Sequence, residues 1–104
     1  MKTFDQFITE AHFDVETYMK RLAKPVFGMG TRKTKEDEEA IYFTFAAKAP
    51  RGWYKKMIAE INKCPMAKIT VQDDHYQEVD FEVEGCKVTV KKYSYGIGAV
   101  VFKR

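Results

Sequence analysis

Apolar residues along this chain recur at two different periods, and each change of period marks an element. Phe4, Phe7, Ile8 and Ala11 fall at helical spacing, and the stripe continues through Val15, Tyr18, Met19 and Leu22. Thr3 with Gln6 three residues later has capping-box form, in which each side chain satisfies an orphan backbone N–H. One helix over 4–24 fits this stripe, stopped by Pro25, because proline disfavours helical geometry in the residue before it. A break at His12-Phe13-Asp14 fits as well, with Asp14 capping a separate helix over 15–24. The glycines of Gly28-Met29-Gly30 then mark a turn or a break.

Between 31 and 39 the chain is charged, basic first (Arg32, Lys33, Lys35) and acidic second (Glu36, Asp37, Glu38, Glu39). This reads as an exposed loop or a short hairpin tip. Alternation takes over at 40–47, where Ile41, Phe43 and Phe45 share one face of a strand and Tyr42 and Thr44 the other. Pro50 opens a helix to about Lys63, with Trp53, Tyr54, Met57, Ile58 and Ile61 on its apolar face. Arg51, Lys55, Lys56 and Lys63 lie largely elsewhere, and Pro65 ends the helix. A strand over 66–72 should point Ile69 and Val71 inward, and Asp73-Asp74 suits the turn that follows.

If Glu84-Gly85 is a two-residue hairpin turn, counting outward fixes which residues face each other. Val83 meets Cys86, Phe81 meets Val88 and Val79 meets Val90, an apolar inner face. Glu82 meets Lys87, Asp80 meets Thr89 and Glu78 meets Lys91 on the outer face. Each such polar pair is worth only a few tenths to about 1 kcal/mol. A slip of one residue would spoil both patterns at once. Gly96 and Gly98 suggest another turn before a final strand over 99–103. The expected architecture is α+β: an antiparallel sheet of about four or five strands covered by one or two helices. A doubly wound parallel fold is not expected, since strands and helices do not alternate.

Length and composition narrow the class. The 104 residues suit one domain with a modest core, and 45% hydrophobic with 14% aromatic content argues against disorder. No apolar run approaches the roughly 20 residues that span a bilayer, and Asp5 and Glu10 interrupt any secretory signal. A soluble protein made in the cytoplasm, without a membrane partner, is the expectation. Cys64 and Cys86 are the only cysteines. Reduced, buried thiols are the favoured reading and a disulfide the minor one.

Candidate chemistry is sparse. Asp73-Asp74-His75 offers carboxylates and an imidazole, but adjacent aspartates at this point are far more often turn chemistry than a metal or acid–base site. Cys64 has no obvious base, and Gly28-Met29-Gly30 and Gly96-Ile97-Gly98 form no phosphate-binding fingerprint. No enzyme activity, cofactor or metal is expected. Two groups mix cations with rings in a way that suits nucleic acid: Arg51, Trp53, Tyr54, Lys55 and Lys56, and Lys91, Lys92, Tyr93 and Tyr95. In the first group, Trp53 and Tyr54 are better explained as core residues. If the two groups converge in space, they form a surface worth testing.

The segment Met1-Lys2-Thr3-Phe4-Asp5-Gln6-Phe7-Ile8-Thr9-Glu10-Ala11 carries the one family signal. It resembles the capsid-targeting sequence of internal head proteins of T-even-type bacteriophages. In that family the peptide brings the protein into the prohead, and the prohead protease cuts after Glu in a pattern of Ile or Leu, any residue, Glu and a small residue. Ile8-Thr9-Glu10 before Ala11 fits it. The resemblance implies a propeptide over 1–10 and a single α+β domain over 11–104, with Ile8, Glu10 and Ala11 as cleavage residues. Cleavage would remove one lysine and two acidic residues, raising the net charge from +3 to +4.

The implied partners are the prohead scaffold and protease; the implied locations are the head interior and then the host cytoplasm. The leading function is an injected protein that counters a host defence, such as a restriction nuclease, by protein binding. The charged stretch 31–39 and the outer face of the 76–93 hairpin are its candidate contact surfaces. A small basic DNA-binding protein of the head is the second reading, and a phage cytoplasmic protein that is never packaged is the third. Arg32, Lys33, Lys35, Arg51, Lys55, Lys56, Lys91 and Lys92 are the candidate protein- or DNA-binding residues.

Overall fold

The computed structural model describes residues 14–28 and 31–103. Helix α1 (Val15–Phe27) starts where the sequence offers a cap. Asp14 is extended, and its carboxylate accepts from the Thr17 backbone N–H at 3.1 Å and the Thr17 hydroxyl at 2.7 Å. These bonds, the hydroxyl first, hold the Asp14 carboxyl below its ordinary range. The extended Asp14 decides against one unbroken helix over 4–24; residues 4–13 lie outside the described residues. Pro25 does not end α1 but sits inside its last turn. The proline forfeits one backbone hydrogen bond there. Packing just beyond it outweighs that loss: Val26 is buried, and the Phe27 ring stacks on Phe45 at 5.3 Å. The helix closes at Gly28, whose φ of 74° lets its N–H reach the Lys24 carbonyl at 2.8 Å.

Six antiparallel strands form one sheet in the order β1-β2-β6-β5-β4-β3. They are β1 (Arg32–Glu36), β2 (Ala40–Ala46), β3 (Ala67–Asp73), β4 (Glu78–Val83), β5 (Cys86–Tyr93) and β6 (Gly96–Phe102). This is the α+β fold that the periodicity implies, with one strand more than expected. The extra strand is β1, built from the charged stretch. It pairs only with β2, and all five of its residues are exposed. A charged edge of this kind discourages pairing with other chains. The β1–β2 turn is closed by Asp37, whose carboxylate accepts from the N–H groups of Glu39 and Ala40, both at 2.8 Å.

The hairpin register counted from the sequence is present for all five pairs from Val83 and Cys86 to Val79 and Val90. Glu84 and Gly85 both have positive φ, as a tight two-residue turn between twisted strands requires. Two other expectations need correction. Gly96 and Gly98 lie inside β6 rather than in a turn, which falls at Ser94-Tyr95. Val71 points outward and is about half exposed, because a bulge between Ile69 and Val71 shifts the register of β3.

Both helices cover one face of the sheet. The second helix, α2 (Trp53–Asn62), contributes Trp53, Tyr54, Met57 and Ile61 to a core shared with Val15, Met19, Leu22, Ala23 and Val26 of α1. The inner strand positions Phe43, Phe45, Val79, Phe81, Val88, Val90, Ile97, Ala99 and Val101 complete it. The Tyr54 hydroxyl donates to the Glu78 carbonyl at 3.0 Å, anchoring α2 to β4. Asp73 accepts from the N–H groups of His75 and Tyr76, so it serves the turn, as expected. Cys64 and Cys86 are free and half-buried.

Two substitutions test these assignments. Asp14→Ala should lower stability by about 1 kcal/mol, the usual cost of a lost N-cap, read as a fall in the thermal midpoint. At Gly96, where φ is 129°, a Cβ would collide with the Ala46 carbonyl oxygen. Gly96→Ala should therefore cost on the order of 3 kcal/mol or more. An unchanged midpoint for either variant would refute the corresponding assignment.

Candidate functional site

The opposite face of the sheet is covered by neither helix, and its side chains follow from the strand registers. One cross-strand row runs Arg32, Thr44, Gly98, Lys91 over β1, β2, β6 and β5. The next runs Lys35, Tyr42, Val100, Thr89, Asp80, Val71, reaching β3 at the far edge. At strand spacings of about 4.8 Å, Arg32 and Lys91 are roughly 14 Å apart along their row.

At the β1–β2 end this face dips into an open depression of about 610 Å³. Arg32, Thr34, Lys35, Tyr42, Thr44 and Tyr95 line it, and its charged residues, Arg32 and Lys35, are both cations. Lys35 Nζ lies 5.3 Å from the centre of the Tyr42 ring, and Lys91 Nζ lies 5.2 Å from that of Tyr93. The Tyr93 and Tyr95 rings stack in parallel, 5.3 Å apart and 3° from coplanar.

Gly98 makes this arrangement possible. A Cβ there would stand 2.6 Å from the Phe43 carbonyl oxygen, 3.4 Å from the Tyr95 hydroxyl and 3.5 Å from Tyr93 Cδ2. The bare backbone lets β2 approach closely and leaves the two rings their place above the strand. Burial first, then Tyr95 and the carboxylates of Glu78 and Asp80, pushes the Tyr93 hydroxyl up to about 12, so it stays neutral at physiological pH.

Charge is handled differently on the two faces. Lys33, opposite inward-facing Phe43, and Lys103, two residues beyond inward-facing Val101, lie on the helix side of the sheet, and Glu36 bridges both, at 2.9 Å and 2.8 Å. Arg32, Lys35 and Lys91 on the uncovered face have no carboxylate within 4.0 Å among the described residues.

The structure thus sorts the sequence-derived candidates. Arg32, Lys35 and Lys91 come together on one face with Tyr42, Tyr93 and Tyr95. Lys33 is held by Glu36. Lys92 is exposed but pairs with inward-facing Ile97, so it leaves the cluster. Arg51, Lys55 and Lys56 are exposed in and before α2, on the helical side of the sheet. The two aromatic-basic groups therefore do not converge, because Trp53 and Tyr54 are buried in the core between them. What converges instead is the charged stretch with the outer face of the β4–β5 hairpin. Tyr42, Thr44 and Gly98 complete the site. The alternation of β2 signals an outward Tyr42 and Thr44, but nothing local signals that β6 lies beside them. Ile8, Glu10 and Ala11 lie outside the described residues.

Glu36 supplies a pH-dependent prediction. Hydrogen bonds from Lys103 first, and then from Lys33, hold its carboxyl down from 4.5 to about 2. A carboxylate depressed by folding stabilises the fold above its unfolded value and ceases to do so as pH falls through its folded value. The strap from β1 to the end of β6 should thus weaken between pH 4.5 and about 2. In an NMR titration the Glu36 carboxyl carbon should show a midpoint near the lower value, moving upward in about 1 M salt. A midpoint near 4.5 at low salt would refute the bridge.

In comparisons with known proteins, the chain matches no family model, no curated protein and no solved structure.

Proposed function

We propose that this chain is an internal head protein of a T-even-type bacteriophage. It is packaged into the prohead through residues 1–10, cut between Glu10 and Ala11, and injected into the host with the DNA. There it acts by binding, with a host defence enzyme such as a restriction nuclease as its target and no cofactor required. Its partners before injection are the prohead scaffold and protease.

The observation that carries this reading is Ile8-Thr9-Glu10-Ala11 behind Met1-Lys2-Thr3-Phe4. A further feature supports it. Helix α1 is capped by Asp14, which lies beyond the expected cleavage point between Glu10 and Ala11, so the helix does not draw its cap from the removed peptide. The exposed, charged β1 edge presents polar surface for a protein partner. No helix among the described residues is long and apolar enough to cross a membrane.

Mass spectrometry of purified virions tests the proposal. The expected species begins at Ala11. A chain with intact Met1 in mature heads, or virions lacking the protein, would overturn it. Removal of residues 1–10 should leave the cooperative thermal transition in place, and loss of that transition would contradict a dispensable propeptide.

A further inference from the structure

We infer that the uncovered sheet face is a binding site for single-stranded nucleic acid, lying across β5, β6, β2 and β1. The proposal goes beyond the packaging reading and does not depend on it, since it rests only on residues 32–100.

Three features select this occupant. The first is charge. Arg32, Lys35 and Lys91 lack carboxylate partners within 4.0 Å among the described residues, whereas Lys33 and Lys103 on the other side are held by Glu36. Cations without carboxylate partners on one face suit a polyanion, and Arg32 and Lys91, at opposite ends of their row, would meet phosphates more than one nucleotide apart.

The second feature is the rings. Tyr95 is 50% exposed and caps a parallel stack on Tyr93. Its outward side is free to receive an unpaired base, and Tyr42 supplies another aromatic surface at the depression. Bases inside a duplex cannot use such a platform, because their faces are already stacked. An acidic protein surface would use the cations but would have no need of a stacked tyrosine pair.

The third is direction. Glu78 and Asp80 stand on the β4 side and act on the Tyr93 hydroxyl. Their charge repels phosphate and confines the strand to the β5–β1 side. With no side chain at Gly98, the Tyr93 and Tyr95 rings settle over the strand and hold the stack that a base would extend.

The test uses the full chain and a fluorescein-labelled twelve-nucleotide oligothymidine, with binding read by anisotropy at low salt. The single strand should bind about tenfold or more tightly than a duplex of equal length. The plot of log affinity against log salt should have a slope near −2, from about three phosphate contacts at roughly −0.7 each. Tyr95→Ala should weaken binding about tenfold, while Tyr95→Phe, which keeps the ring, should preserve it. Arg32→Ala should weaken binding and lower the salt slope by almost one contact. Lys55→Ala with Lys56→Ala should change nothing.

Several results would overturn the inference. These are no binding at low salt, equal affinity for duplex, or sensitivity to Lys55 and Lys56 instead of Tyr95. Binding that an acidic polypeptide displaces equally well from wild type and Tyr95→Ala would identify a general anion surface and would also overturn it. Circular dichroism of each variant separates lost binding from lost fold. Failure here leaves the Ala11 terminus in virions untouched, and the reverse also holds.

Discussion

Strand β6 lies between β2 and β5, and the rest of the molecule depends on that placement. Without it the sheet would fall into two separate pieces: the β1–β2 hairpin, and the β3–β4–β5 meander. Pairing of β2 with β6 joins residues more than half the chain apart, such as Tyr42 and Val100. The loop entropy of such a contact must be overcome before any burial is gained. Steric room decides whether it can form. At Gly96 and Gly98 the approaching strand and loop leave no space for a Cβ, against the Ala46 and Phe43 carbonyls. Two missing side chains therefore permit the long-range contact that closes the sheet.

Closing the sheet also makes its two faces unlike. The inner face gathers aliphatic and aromatic residues from every strand except β1 and is sealed by α1 and α2. Burial of side chains such as Phe81 and Val90 there supplies the main favourable term, about 1.5–3 kcal/mol for each large residue. The outer face carries tyrosines, threonines and cations, with only part of each side chain withdrawn from water. Because side chains alternate along a strand, strong selection of one face by the core leaves the other free to present chemistry. The cluster on that face draws on strands from both ends of the chain, and β6 is what brings them side by side.

Much of the fold could be read from local pattern. The Asp14 cap, the α2 stripe and the β4–β5 register each involve residues a few positions apart, where spacing alone sets the geometry. Where the reading failed, a longer-range term prevailed. Packing of Phe27 on Phe45 and Trp53 carried α1 past Pro25. A bulge turned Val71 outward, although its alternation with Ile69 pointed inward. Gly96 and Gly98 looked like turn residues because their use, close passage of a strand distant in sequence, leaves no local mark. For the same reason Arg32 and Lys91 could be named separately as candidates but not placed together. The address at the N-terminus is a different kind of signal, a string read by other proteins, and its meaning is not a matter of folding at all.

The central claim is that β6 pairs on both sides and thereby assembles one continuous face. Backbone NOEs in a labelled sample test it most directly. The account predicts cross-strand contacts from Val100 to both Tyr42 and Thr89, and from Ala99 to both Phe43 and Val90. Contacts from β6 to β5 alone, with β2 unpaired on that side, would contradict it and dissolve the proposed site.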